Sequence, residues 1–199
     1  MTTFNEHLGN IFAVFARSDR RDKEWGMTAY ECYQERIARI AAGRANIEVA
    51  CGIFAALSPN VDEAKNFQGL ERMLGGGHDS YISGYPLNKV KARRIMDGEH
   101  PLDVLSGLKT RSFYINLCYP ERTDAVTIDM HMLSIWLMQR LKAHEASMAE
   151  SLYKRIAGDY RQVASLLNLR PNQLQSICWT TWKRVHNIVY DKHQTELFV

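Results

Sequence analysis

Two short stretches of the sequence carry side chains able to do chemistry. Leu105-Ser106-Gly107-Leu108-Lys109-Thr110 places an amine just after a glycine, and Thr127-Ile128-Asp129-Met130-His131 places a carboxylate and an imidazole about twenty positions further on. A glycine at that point permits a tight hairpin, and the free N–H groups and dipole of a following helix favour a phosphate. Lys109 can pair with such a phosphate or, near a sugar carbon in a drier pocket, act as an amine nucleophile. A carboxylate at Asp129 would stabilise a cationic, sugar-like transition state, with His131 orienting it. Each residue also has a plainer role. Lys109 can be a solvated lysine in a helix-starting turn, Asp129 an N-cap and His131 a packed core histidine.

Two further stretches concern partners. From Pro86 to Asn116, Lys89, Lys91, Arg93, Arg94, Lys109 and Arg111 oppose Asp97, Glu99 and Asp103. Local positive charge beside a helical hairpin suits a DNA backbone, where each neutralised phosphate releases counterions. The same run also reads as a solvated helix face. From Arg161 to Arg184, Gln162-Val163-Ala164-Ser165-Leu166-Leu167 leads through Asn168-Leu169-Arg170-Pro171 into Asn172-Gln173-Leu174-Gln175-Ser176-Ile177. Two helices joined by a short turn, the second opening on amides that can bond adenine edges, is how a helix-turn-helix reads. The other reading is a C-terminal helical hairpin over 160–190 whose Trp179 and Trp182 pack the core.

The elements that must position these residues are helical almost throughout. Phe4, Leu8, Ile11, Phe12 and Phe15 recur at steps of three and four, and Tyr30, Tyr33, Ile37, Ile40 and Ala41 repeat the pattern. Residues 47–57 are apolar too continuously for a surface helix and are expected to form the buried central one. Ser58-Pro59-Asn60 ends it, Asp62 caps the next helix, and Gly75-Gly76-Gly77 stops that one, with a polar loop running to Pro86. Further helices are expected at about 88–97, 101–106, 110–119, 129–143, 147–157, 160–168 and 172–190. Ala125-Val126-Thr127-Ile128 alone looks strand-like. The expectation is a single all-α domain over 1–199 with about nine to ten helices. Two helical lobes, 46–120 forming one, are the alternative.

The chain has 199 residues, 46% hydrophobic and 24% charged, ordinary values for a globular protein with an unstapled core. No apolar run has the length of a membrane helix, and no secretory pattern opens the chain. Cys32, Cys51, Cys118 and Cys178 lie far apart and form no CxxC pair, which argues against zinc, an iron–sulfur cluster or a disulfide scaffold. They are expected to be free thiols in a reducing cytoplasm. A net charge of +3 is too mild to decide for a nucleic acid by itself, and nothing in the sequence sets the oligomeric state.

Taken in order, these landmarks resemble a known family. Val49 to Leu57 followed by Ser58-Pro59-Asn60-Val61-Asp62 and Asn66 resembles the buried helix and "LSAQ-TD…N" turn of helix-hairpin-helix DNA glycosylases of the endonuclease III class. Tyr85 to Met96 (YPLNKVKARRIM) looks like that family's "YNxKAxxI" helix. Leu105 to Thr110 looks like a shortened "LPGVGxKTA" hairpin, and Ala125 to His131 is similar to "xAVDTHV". The resemblance covers a glycosylase-like core at 46–141, with the helix-hairpin-helix near 101–119. The chain also resembles small phage-encoded proteins of unassigned function with an "AALSP…KARRIM…VTIDxH" pattern.

The resemblance implies an enzyme that extrudes a base and fills the gap with a protein wedge. Lys109 matches the Schiff-base lysine and Asp129 the catalytic aspartate. Asn60 matches the residue that enters the DNA stack, and Gly107 with the backbone around Leu108 matches the phosphate-gripping hairpin. The residues expected against DNA are Asn60, Lys89, Lys91, Arg93, Gly107, Leu108, Thr110, Arg111 and His131. The hairpin lacks the family's second glycine and is two residues tighter, and no cysteine cluster follows, so no metal or other cofactor is expected. Three functions follow as expectations. The first is base excision, with strand nicking as an added lyase step. The second is hypermodification of DNA bases on the same fold. The third is DNA binding without catalysis through a helix-turn-helix.

Overall fold

In the computed structural model, residues 6–142, 145 and 147–188 are described, and they form ten α-helices, one 3-10 turn and no strand. In chain order these are α1 (Glu6–Ala16), α2 (Arg20–Ala41), α3 (Ile47–Leu57), α4 (Glu63–Leu74), the 3-10 turn Asp79–Tyr81, α5 (Pro86–Met96), α6 (Pro101–Val104), α7 (Leu108–Cys118), α8 (Met130–Leu137), α9 (Glu150–Leu166) and α10 (Pro171–Val185). The all-α expectation is met.

The helix boundaries follow from local chemistry. Asn46 and Asp62 accept the N–H of Val49 and Lys65, capping α3 and α4 at the third helical position. Asp19 and Asp22 cap α2 reciprocally, each carboxylate accepting the other's backbone N–H at 2.9 and 3.1 Å. Pro86, Pro101 and Pro171 open α5, α6 and α10, where a missing N–H costs nothing.

Three boundaries depart from the sequence reading. The helices expected at 147–157 and 160–168 are one, α9, running through Gly158. Its Tyr153, Ile156, Ala157, Tyr160, Val163 and Ala164 are all buried, and that packing outweighs the ~1 kcal/mol glycine penalty. The helix expected at 129–143 stops at Leu137, where Met138 turns left-handed (φ 50°) and Gln139 N–H bonds Ser134 O. The strand-like 125–128 pairs with no other strand among the described residues. The Tyr153 hydroxyl instead donates to Val126 O and accepts from Ile128 N–H, at 2.9 and 3.1 Å.

The chain divides into two compact units. The continuous unit holds residues 31–120, and the discontinuous unit holds the described residues up to Tyr30 and from Glu121 on. The border at Tyr30 falls inside α2. In the continuous unit α3 is the hub, packed against α4, α5, α6 and α7. Ile53, Phe54 and Leu57 meet a core that includes Phe67, Leu70, Ile95 and Leu117. In the discontinuous unit α1 packs on α8, α9 and α10. There α2 also crosses α10 at Gly26, where a Cβ would stand 2.4–2.7 Å from Ile177, a spacing only glycine allows.

Candidate nucleic-acid interface

In the continuous unit, Leu105-Ser106-Gly107 joins α6 to α7. Gly107 has φ 83° and ψ 137°, a backbone conformation that L side chains avoid, and nothing lies within 4 Å of where its Cβ would be. The turn is therefore open outward. No side chain caps α7, so the N–H groups of its first turn face away from the helix without an internal acceptor from a cap. The Lys91 ammonium donates to Ser106 Oγ at 2.6 Å, bringing α5 to the turn. Lys109 and Arg111 are exposed, and their side chains make no hydrogen bond or ion pair among the described residues. Leu108 and Thr110 are half-buried beside them. A helix start with this surround presents positive potential from backbone and side chains together.

The other cations expected against DNA have structural work. Lys89 donates to Asp79 O at 2.9 Å, and Arg93 binds the Asp79 carboxylate at 2.8 Å and Gly77 O. Both tie down the loop between α4 and α5. Arg94 pairs with Glu99. Asn60 is exposed in the left-handed region (φ 59°), and its amide donates to the Tyr85 hydroxyl at 3.0 Å.

Asp129 belongs to the discontinuous unit, Lys109 to the continuous one. Asp129 is half-buried and N-caps α8, its Oδ1 accepting Met132 N–H at 2.9 Å. Its Oδ2 accepts the Trp179 indole N–H at 3.0 Å. His131 stands edge-on to the Trp179 ring, with centroids 6.1 Å apart, and Lys183 Nζ lies 4.0 Å from that ring's centroid. Both carboxylate oxygens are thus oriented by N–H donors, and a cation rests on the indole that supplies one of them. Burial, with the Cys178 thiol and the Asp129 carboxylate nearby, pushes the Tyr160 phenol well above its ordinary range.

A family model spans nearly all of this. The chain belongs to DUF7178, a family of unknown function. The match covers residues 1–186, which takes in both units and both Lys109 and Asp129. No curated protein and no solved structure matches the chain. Among the described residues of this DUF7178 member, no helix is long and apolar enough to cross a membrane. Nor do three or more His, Cys, Asp and Glu side chains come together there to hold a metal ion.

The helix-turn-helix expected at 161–184 takes the form of α9 and α10, but the amides meant to read bases are turned inward. Asn172, Gln173 and Gln175 are buried. Gln173 bonds Arg170 N–H and Met27 O, and Gln175 accepts the Tyr30 hydroxyl at 2.8 Å. Their polar ends are spent on these internal bonds, which takes them from any base edge. The four cysteines are free thiols. A hydrogen bond with Cys118 and then burial raise the Cys51 thiol far above its usual range, so it is no nucleophile.

Sequence reasoning missed Trp179 as a partner of Asp129, having assigned it to core packing. A signal was present: an N-cap carboxylate uses one oxygen for the helix, and a part-buried indole N–H needs an acceptor.

Proposed function

We propose that this protein processes DNA bases, holding the strand at the Gly107 turn and excising a base with Lys109 as nucleophile. The observation that carries the reading is the Gly107 turn itself. An outward-open glycine at positive φ heads an uncapped helix whose exposed Lys109 and Arg111 have no internal partner among the described residues. In the proposed step Lys109 gives up a proton and its amine forms a C–N bond at the sugar carbon as the glycosidic bond breaks. The base leaves with the bonding electron pair and takes up a proton. In the resemblance the carboxylate that Asp129 matches, oriented here by Met132 N–H and Trp179 N–H, is the group that offsets positive charge on the sugar. The reading puts the chain in the cytoplasm, with DNA as partner and its thiols reduced.

The test is trapping with borohydride on DNA carrying a panel of damaged and modified bases. A covalent protein–DNA adduct that Lys109→Ala abolishes is the expected result, with Asp129→Asn lowering abasic product by about a hundredfold or more. No adduct and no abasic product across the panel overturns it.

One observation favours a second reading, DNA binding without chemistry. Both Asp129 oxygens already have donors, as a purely structural cap would. That reading expects duplex binding that Lys109→Ala weakens only through lost charge, with a smaller salt slope, while Asp129→Asn leaves binding unchanged.

A further inference from the structure

Large apolar side chains are unevenly spread over the surface. Of nine that stand exposed among the described residues, four fall within residues 81–90: Tyr81 (69%), Tyr85 (55%), Leu87 (75%) and Val90 (54%). Such a concentration marks a contact surface rather than chance exposure. The segment is also held rigid. Arg72 donates to Tyr81 O, Lys89 to Asp79 O, and Arg93 to Gly77 O and the Asp79 carboxylate. Its charge is one-sided: from Arg72 to Arg94 five Lys and Arg face one acid, Asp79. Arg93 pairs with Asp79 and Arg94 with Glu99, but Arg72 and Lys89 bond backbone carbonyls and Lys91 a hydroxyl, so the charge of these three is not cancelled by an acid.

We infer that residues 81–90 bind a nucleic-acid strand with unpaired bases, which stack on Tyr81 and Tyr85 while the surrounding cations follow its phosphates. The chemistry selects this partner. A polyanion alone would need no exposed rings, and an apolar protein surface would need no net charge of this size. A duplex keeps its base faces inside its stack. A single strand offers flat apolar faces and regular negative charge at once, and each base stacked on an aromatic ring strengthens binding measurably. The inference rests on the proposed function for the nucleic-acid partner and names its substrate class, DNA unpaired at the site of contact. It does not depend on Lys109 or Asp129.

Fluorescence anisotropy of the full chain tests it with three probes: a labelled short oligothymidylate, a blunt duplex of equal length, and poly-glutamate. The oligothymidylate is expected to bind about tenfold or more tighter than the duplex, and poly-glutamate not to compete. Tyr81→Ala with Tyr85→Ala should weaken single-strand binding by about tenfold or more at an unchanged salt slope. Tyr85→Phe, which keeps the ring and loses only the Asn60 contact, should retain it. Both tyrosines are exposed, so far-UV circular dichroism should match the unsubstituted chain. Equal or tighter duplex binding, tyrosine variants without effect, or no binding of any probe would overturn the inference. Competition by poly-glutamate would overturn it in favour of an acidic protein partner. Single-strand binding with no borohydride adduct sinks base excision alone, whereas an adduct with tyrosine-independent binding sinks this inference alone.

Discussion

The two units bury their central helices by different means. In the continuous unit α3 is IEVACGIFAAL, apolar on every side, and Ala50 through Leu57 are buried against four neighbouring helices. In the discontinuous unit α10 opens PNQLQSICWTT, and Asn172 through Cys178 are buried together with Thr180, Thr181 and Trp182. The first arrangement needs complementary volumes. The second needs partners, because each amide or hydroxyl taken from water must find a hydrogen bond inside. Gln175 meets Tyr30, Gln173 meets Met27 O, and Thr181 stands 3.1 Å from Asp22, which the Arg184 guanidinium also binds. The continuous unit coheres mainly by shape, with Asn66 bonded to Phe54 O inside it, and the discontinuous unit relies on several polar pairs as well, so the two should fail differently when altered.

The largest effect is expected at Phe54, buried in α3 with its ring 4.6 Å from that of Phe67. Phe54→Ala should cost about 4 kcal/mol by chemical denaturation, through lost transfer energy and a residual cavity. Hydrogen exchange should rise first within 47–118. In the discontinuous unit Gly26→Ala forces a methyl against the α10 backbone and should cost about 3 kcal/mol. If it costs less than 1 kcal/mol, the close crossing of α2 and α10 is wrong. Gln175→Leu preserves approximate volume but removes the acceptor of the Tyr30 hydroxyl, leaving Thr127 at 3.2 Å. A loss of about 1.5 kcal/mol is expected, and a gain in stability would erase the contrast between the units.

The smallest effect is a pH dependence. Burial, and then repulsion from Arg140 and Arg17, lowers the His186 pKa below its ordinary 6.5, with the ring 4.0 Å from that of Trp182. Above 6.5 both the folded and unfolded states hold the ring neutral, and the full stability is present. As the pH falls from 6.5 the unfolded chain takes up the proton first, so stability drops through the lowered folded value. His186→Gln should show a smaller decline between pH 7 and pH 5 in denaturation midpoints.

The contrast also explains what the sequence made legible. The nearly continuous apolar run of 47–57 announced a buried helix, and Asn60, Asp62 and Gly75 sit at the expected turns, because caps and glycines act within a few residues. The polar face of 172–181 looked like a surface for reading bases, since periodicity cannot tell a solvated amide from one matched to a distant hydroxyl. Tyr30 lies 145 positions from Gln175, and Asp129 lies 50 from Trp179. Such pairs leave no local signature. The turn at Gly107, with exposed Lys109 and Arg111 after it, was legible from residue type and spacing. Lys89 and Arg93 were not separable from them by charge alone, because only the fold reveals the carbonyls they reach.

The 22 residues of α2 form one unbroken rod, about 33 Å long at the usual rise, and the border between the units falls inside it, after Tyr30. No proteolytic nick or gene fusion joint could part the halves there without stranding backbone donors and acceptors on both stumps.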